Sequence, residues 1–125
     1  MAIYPIRTFG DPVLRTPAAE VTDGAESLQR LVDGMLETMY EAPGVGLAAP
    51  QIGISKAIFV ADVGEGPFAM VNPEIVELSG SWTFDEGCLS VPGHYWSIKR
   101  PGYCKARGTD IHGNEVVYEL SLIHI

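Results

Sequence analysis

The sequence predicts an α+β domain: one amphipathic helix in the N-terminal third, packed on several short, mostly antiparallel strands. Three observations carry that prediction. Apolar residues recur at three- and four-residue steps between Leu28 and Tyr40, the period of a helix with one apolar face. After Pro43-Gly44 the pattern shortens to strand-length runs. The 14 Gly and 9 Pro among 125 residues supply the turns such a chain needs, and a helix followed by strands without alternation is the α+β order.

Pro5, Pro12 and Pro17 break any helical pattern in the first twenty residues, which read as extended and irregular. Asp23-Gly24-Ala25-Glu26 is a helix-start signal, with Asp23 as the cap and a glutamate three residues later. Leu28, Leu31, Val32, Met35, Leu36, Met39 and Tyr40 then form the apolar stripe of a helix of about four turns, stopped by Pro43 and Gly44. Ala57 to Ala61 is a buried strand, and Gly64-Glu65-Gly66-Pro67 a turn. Phe68 to Val76 and Trp82 to Glu86 read as strands, and residues 102–110 alternate. Asp110 to Asn114 then turns the chain into Glu115 to Glu119.

Hydrophobic residues make up 46% and charged residues 19%, enough apolar side chain for one core. A net charge of −8, with no basic cluster beyond Lys99-Arg100, disfavours binding to nucleic acid or anionic lipid. No signal peptide or membrane-length apolar run is visible. Cys88 and Cys104 sit in unrelated contexts and read as free thiols, so the expected compartment is the cytosol.

Two segments could carry chemistry. Gly44-Val45-Gly46-Leu47-Ala48-Ala49-Pro50-Gln51 lets a backbone approach another chain closely, its glycines can adopt φ > 0, and Gln51 ends it with an amide donor. A tight helix-to-strand connection would use the same residues. Glu86-Gly87-Cys88-Leu89-Ser90 is placed to project a thiolate, a nucleophile and a ligand for zinc or iron. The plainer alternative is a small buried hydrophobe.

Together, in this order and separation, the two segments resemble the first two signature motifs of the peptide deformylase family. Phe9-Gly10-Asp11-Pro12-Val13-Leu14-Arg15 looks like that family's N-terminal segment, and Val71-Asn72-Pro73, Arg100-Pro101 and the Asp110–Asn114 turn fit its framework. Residues 5 to about 119 follow the pattern. The resemblance implies a hydrolase that removes the formyl group from the N-terminal formyl-methionine of newly made polypeptides. In the family a divalent metal, ferrous iron in the native form with zinc as an alternative, is held by one cysteine and two histidines, leaving a position for water.

Carried over by position, Cys88 is the thiolate ligand, and Gln51 and the backbone N–H of Leu89 are oxyanion donors. Such donors are worth roughly 3–4 kcal/mol each toward a transition state. Val45, Gly46, Glu86 and Gly87 become substrate-binding residues, with the peptide added as a strand. Ribosome binding is a further expectation for a full-length relative.

The family's third motif, His-Glu-x-x-His on a helix, would supply the two imidazoles and the general acid-base. It is absent here: the histidines are His94, His112 and His124, and none begins such a pattern. After Glu119 the sequence ends Leu-Ser-Leu-Ile-His-Ile, which reads as a translation of the transposon-end adapter CTG TCT CTT ATA CAC ATC used in sequencing libraries. Residues 1–119 are therefore expected to be an incomplete deformylase-like domain and 120–125 a non-native tail, with the metal-binding helix missing and the chain inactive as it stands. Two other functions compete: a deformylase-like peptide-binding domain without catalysis, and a metal-independent thiol hydrolase with Cys88 as nucleophile and His94 or His112 as base.

Overall fold

A computed structural model of the chain describes residues 3–64 and 66–121. The described chain starts as a strap with a 3₁₀ turn at Pro12–Arg15, where the Val13 N–H donates to the Asp11 carboxylate. Helix α1 covers Ala25–Glu41. The strands are β1 (Gly46–Ala48), β2 (Ile58–Ala61), β3 (Phe68–Ser79), β4 (Trp82–Cys88), β5 (Val91–Arg100), β6 (Tyr103–Thr109) and β7 (Glu115–Ser121). Five of them form one sheet in the order β1-β2-β3-β6-β7, and β4 pairs with β5 as a separate ribbon. Every ladder between these strands is antiparallel.

The predicted helix stripe is the face that enters the core. Leu28, Val32, Met35 and Met39 are buried against Leu47, Ile52, Ile58, Val60 and Val71. Thr38 shares that face because its hydroxyl donates to the Gly34 carbonyl at 2.8 Å and accepts from the Tyr4 N–H at 2.9 Å. Tyr40 lies outside the core, and its hydroxyl donates to Asp62 Oδ2 at 2.6 Å. No helix among the described residues is long and apolar enough to cross a membrane.

Three expectations need correction. Gly24, not Asp23, is the helix cap, and it makes no side-chain bond to the helix. Asp23 instead accepts from Lys56 Nζ at 2.6 Å, an ion pair that outcompetes the cap. Residues 91–100, which the sequence does not mark as a strand, form β5 because Pro92-Gly93-His94 is looped out of the ladder: Cys88 pairs with Val91 and Gly87 with Tyr95. The glycines of the Gly44–Gln51 segment do not use positive φ; the left-handed residue there is Gly53, at φ 84°.

In the middle strand, Asn72 sits at φ 51°, a conformation asparagine tolerates better than most residues. Its side chain accepts from the Val21 N–H at 2.8 Å and donates to the Val21 carbonyl at 3.1 Å. The irregular register beside it divides β3 into a half paired with β2 and a half paired with β6.

Candidate active site

Strand β1 is an edge of the five-stranded sheet. The Asp62 N–H donates to the Val45 carbonyl at 2.9 Å, so residues 45 and 47 face β2 and the intervening Gly46 turns its own N–H and C=O to the open edge. Pro50 then starts a 3₁₀ turn over Ala49–Ile52, which brings Gln51 back beside the strand. The Ala48 N–H donates to Gln51 Oε1 at 3.0 Å. That bond assigns the amide, since its oxygen is occupied and its NH₂ must point away. Gln51 Nε2 points at Ser90 Oγ, 3.1 Å away, and toward Cys88 Sγ at 3.9 Å.

The second arm is the β4–β5 hairpin. Cys88 ends β4 with its thiol exposed, which excludes the buried-hydrophobe alternative. Leu89 and Ser90 make the turn, and the Leu89 N–H takes no part in the turn and loop hydrogen bonds among the described residues. The N-terminal strap ties the two arms together: the Arg7 N–H donates to the Gln51 carbonyl at 2.6 Å and the Phe9 N–H to the Ser90 carbonyl at 2.8 Å. Gly44 faces Leu89 so closely that a Cβ there would meet Leu89 Cδ1 at 2.8 Å. Close approach is what this glycine supplies.

Between the arms runs an open groove of ≈ 830 Å³. Val45, Gly46, Gln51, Gly87, Cys88 and Leu89, all singled out in the sequence, line it together. A smaller hollow of ≈ 370 Å³, walled by Phe9, Leu14 and Val91, opens on Cys88 and Gln51. Glu86 is the predicted residue that does not line the groove; its carboxylate is ion-paired with Arg100 Nε across the hairpin. That hydrogen bond, and then the carboxylate's charge, push the Arg100 guanidinium's pKa further up. Sequence reasoning gave no role to Ser90, which ends the second motif and is buried under Gln51, and missed Tyr95, which lines the groove from a strand hidden by its Pro-Gly bulge.

Of the histidines, His94 lines the groove with its ring stacked on Trp96 at 5.8 Å, and His112 sits in the β6–β7 turn. Neither imidazole is hydrogen-bonded to Cys88 in the described residues, whose contact there is Gln51. His124 and the rest of 122–125 lie outside the described residues.

The arrangement pairs a sulfur and an amide donor at one end of a groove with a free strand edge along its side. The family model for polypeptide deformylase matches residues 3–124. This chain belongs to the polypeptide deformylase family. It is 57% identical over 118 residues to the peptide deformylase of Agathobacter rectalis, covering 93% of this chain and 75% of that relative. The crystal structure of the peptide deformylase from Thermotoga maritima superposes with a TM-score of 0.93 at 47% identity, covering 97% of this chain and 83% of that one. A peptide deformylase from Legionella pneumophila gives a TM-score of 0.93 at 41% identity, covering 98% and 75%. These relatives are named for removing a formyl group from peptides. Among the described residues, no three His, Cys, Asp or Glu side chains come together as a metal would require. Beside Gln51 there is one sulfur donor, short of the three protein ligands of a catalytic metal centre.

Proposed function

We propose that this protein recognises the formylated N-terminus of newly made polypeptides in the cytosol, holding it in the groove between β1 and the β4–β5 hairpin. The observation that carries this reading is the convergence of Gln51 Nε2 on Cys88 Sγ, at 3.9 Å, at the floor of a groove bordered by the free edge of β1. The peptide enters as an added strand, bonded by the outward N–H and C=O of Gly46 and flanked by Val45 and Gly87. Gln51 Nε2 and the Leu89 N–H donate to the formyl oxygen. Glu86, through Arg100, braces the hairpin that carries Gly87 and Cys88.

Cys88 is one ligand of the family's metal, ferrous iron or another divalent ion such as zinc. The described residues do not complete that ligand set, and the activity proposed for these 125 residues is binding of the substrate without hydrolysis. In this proposal the natural gene product is the deformylase, residues 1–119 are part of its domain and 120–125 are foreign even though the family match runs to residue 124 and β7 to Ser121; codons other than the adapter's at the end of the reading frame would remove this part of the proposal.

The recognition step is tested by calorimetric titration of the chain with formyl-Met-Ala-Ser and with Met-Ala-Ser. Two neutral hydrogen bonds at about 0.5–1.5 kcal/mol each give the formylated peptide an advantage of roughly five- to 150-fold. Gln51→Leu should remove part of it. Equal affinity for the two peptides contradicts the proposal.

A further inference from the structure

Three features set Tyr95 apart. Its side chain is 76% exposed although the residue is a large aromatic. It lines the groove together with Gly87, Cys88 and Gly46. Its ring lies directly over the backbone of its ladder partner Gly87, where an added Cβ would meet Cε1 at 2.7 Å and Cδ1 at 3.0 Å. The looped-out Pro92-Gly93-His94, with Gly93 at φ 78°, sets this orientation, since bulges beside binding sites re-aim the side chain that follows. His94 and Trp96 stack on one another, whereas Tyr95 has no aromatic partner among the described residues.

We infer that Tyr95 is a specificity-determining residue, an aromatic platform that favours peptides with an aromatic side chain in the second or third position. The inference rests on the groove reading above and names a substrate class within it. A strand advances about 3.4 Å per residue and alternates its side chains between two faces. With the formyl group at Cys88, the first residue lies beside the sulfur. The platform over Gly87, one residue back along β4, therefore stands beside the residues that follow. An exposed ring without a partner gains area and edge or face contacts from an arriving aromatic side chain. If Tyr95 merely shielded the backbone of Gly87, it would be indifferent to the peptide.

The test uses the full chain labelled with ¹⁵N, titrated with formyl-Met-Ala-Ser, formyl-Met-Phe-Ser and formyl-Met-Ala-Phe while the Gly46 and Gly87 amides are followed. One of the phenylalanine peptides should bind about three- to tenfold tighter than the alanine peptide. That preference should vanish in Tyr95→Ala and persist in Tyr95→Phe, with the dispersion of the unbound spectra reporting that each variant folds. Equal binding of all three peptides by the natural sequence overturns the inference and leaves the groove reading standing. So does a preference that survives in Tyr95→Ala. Failure of every peptide to move the Gly46 and Gly87 amides overturns both.

Discussion

Two glycines of one motif have different duties at the scale of single residues. A Cβ on Gly44 would meet Leu89 Cδ1 at 2.8 Å, whereas one on Gly46 would find only the Val60 carbonyl oxygen, at 3.8 Å. Gly44→Ala must turn the end of the Leu89 side chain aside, at a cost of about 0.5–1.5 kcal/mol. Gly46→Ala should change stability by less than about 0.5 kcal/mol. Chemical denaturation of both variants checks this; equal losses would mean that Leu89 yields freely. Gln51 and Cys88 were legible in the sequence because an amide and a thiol stand out in runs of small residues. The contact of Ser90 with Gln51 and the place of Tyr95 were not, because a serine in a turn and a tyrosine after Pro-Gly look like ordinary surface until the hairpin register places them.

Elements were legible where period alone decides, and obscure where a tertiary contact does. The stripe from Leu28 to Met39 marked α1 correctly because the helix buries one face. Asp23 misled because its carboxylate has a better partner in Lys56, which joins the start of the helix to the segment before β2. That hydrogen bond, and then the charge of the lysine, hold the Asp23 carboxyl below its usual value while partial burial opposes the shift. A pKa depressed by folding stabilises fully above the unfolded value, near 4, and the stabilisation is lost as pH falls through the folded value. Asp23→Asn should therefore melt slightly below the natural sequence at pH 7, and the gap should close below about pH 4. Melting curves across that range check it, and a gap that widens on acidification would contradict the ion-pair account. The division of β3 at Asn72 was equally hidden, since it depends on a bond to Val21, 51 positions away.

The whole molecule is amphipathic beyond its core. Where β3, β6 and β7 run together, Glu74 and Arg107, and Lys105 and Glu119, pair at 3.3 and 3.8 Å. Cross-strand partners share a face and successive residues alternate, so Ile75 with Ala106 and Leu78 with Cys104 lie together on the opposite face of the sheet. Ile75 and Leu78 are 62% and 52% exposed, so this face presents apolar side chains to solvent. The chain should bind a hydrophobic dye such as ANS while keeping its sheet signal, and Ile75→Thr with Leu78→Thr should reduce the fluorescence severalfold. Undiminished fluorescence would place the dye elsewhere. The groove and its donors are thus assembled on a scaffold whose described residues offer the metal one sulfur. Formate release from formyl-Met-Ala-Ser by the purified 125-residue chain, supplied with ferrous iron under anaerobic conditions, bears on that most directly. No release above the iron-only background is predicted; steady turnover that a chelator stops and Cys88→Ser abolishes would contradict it.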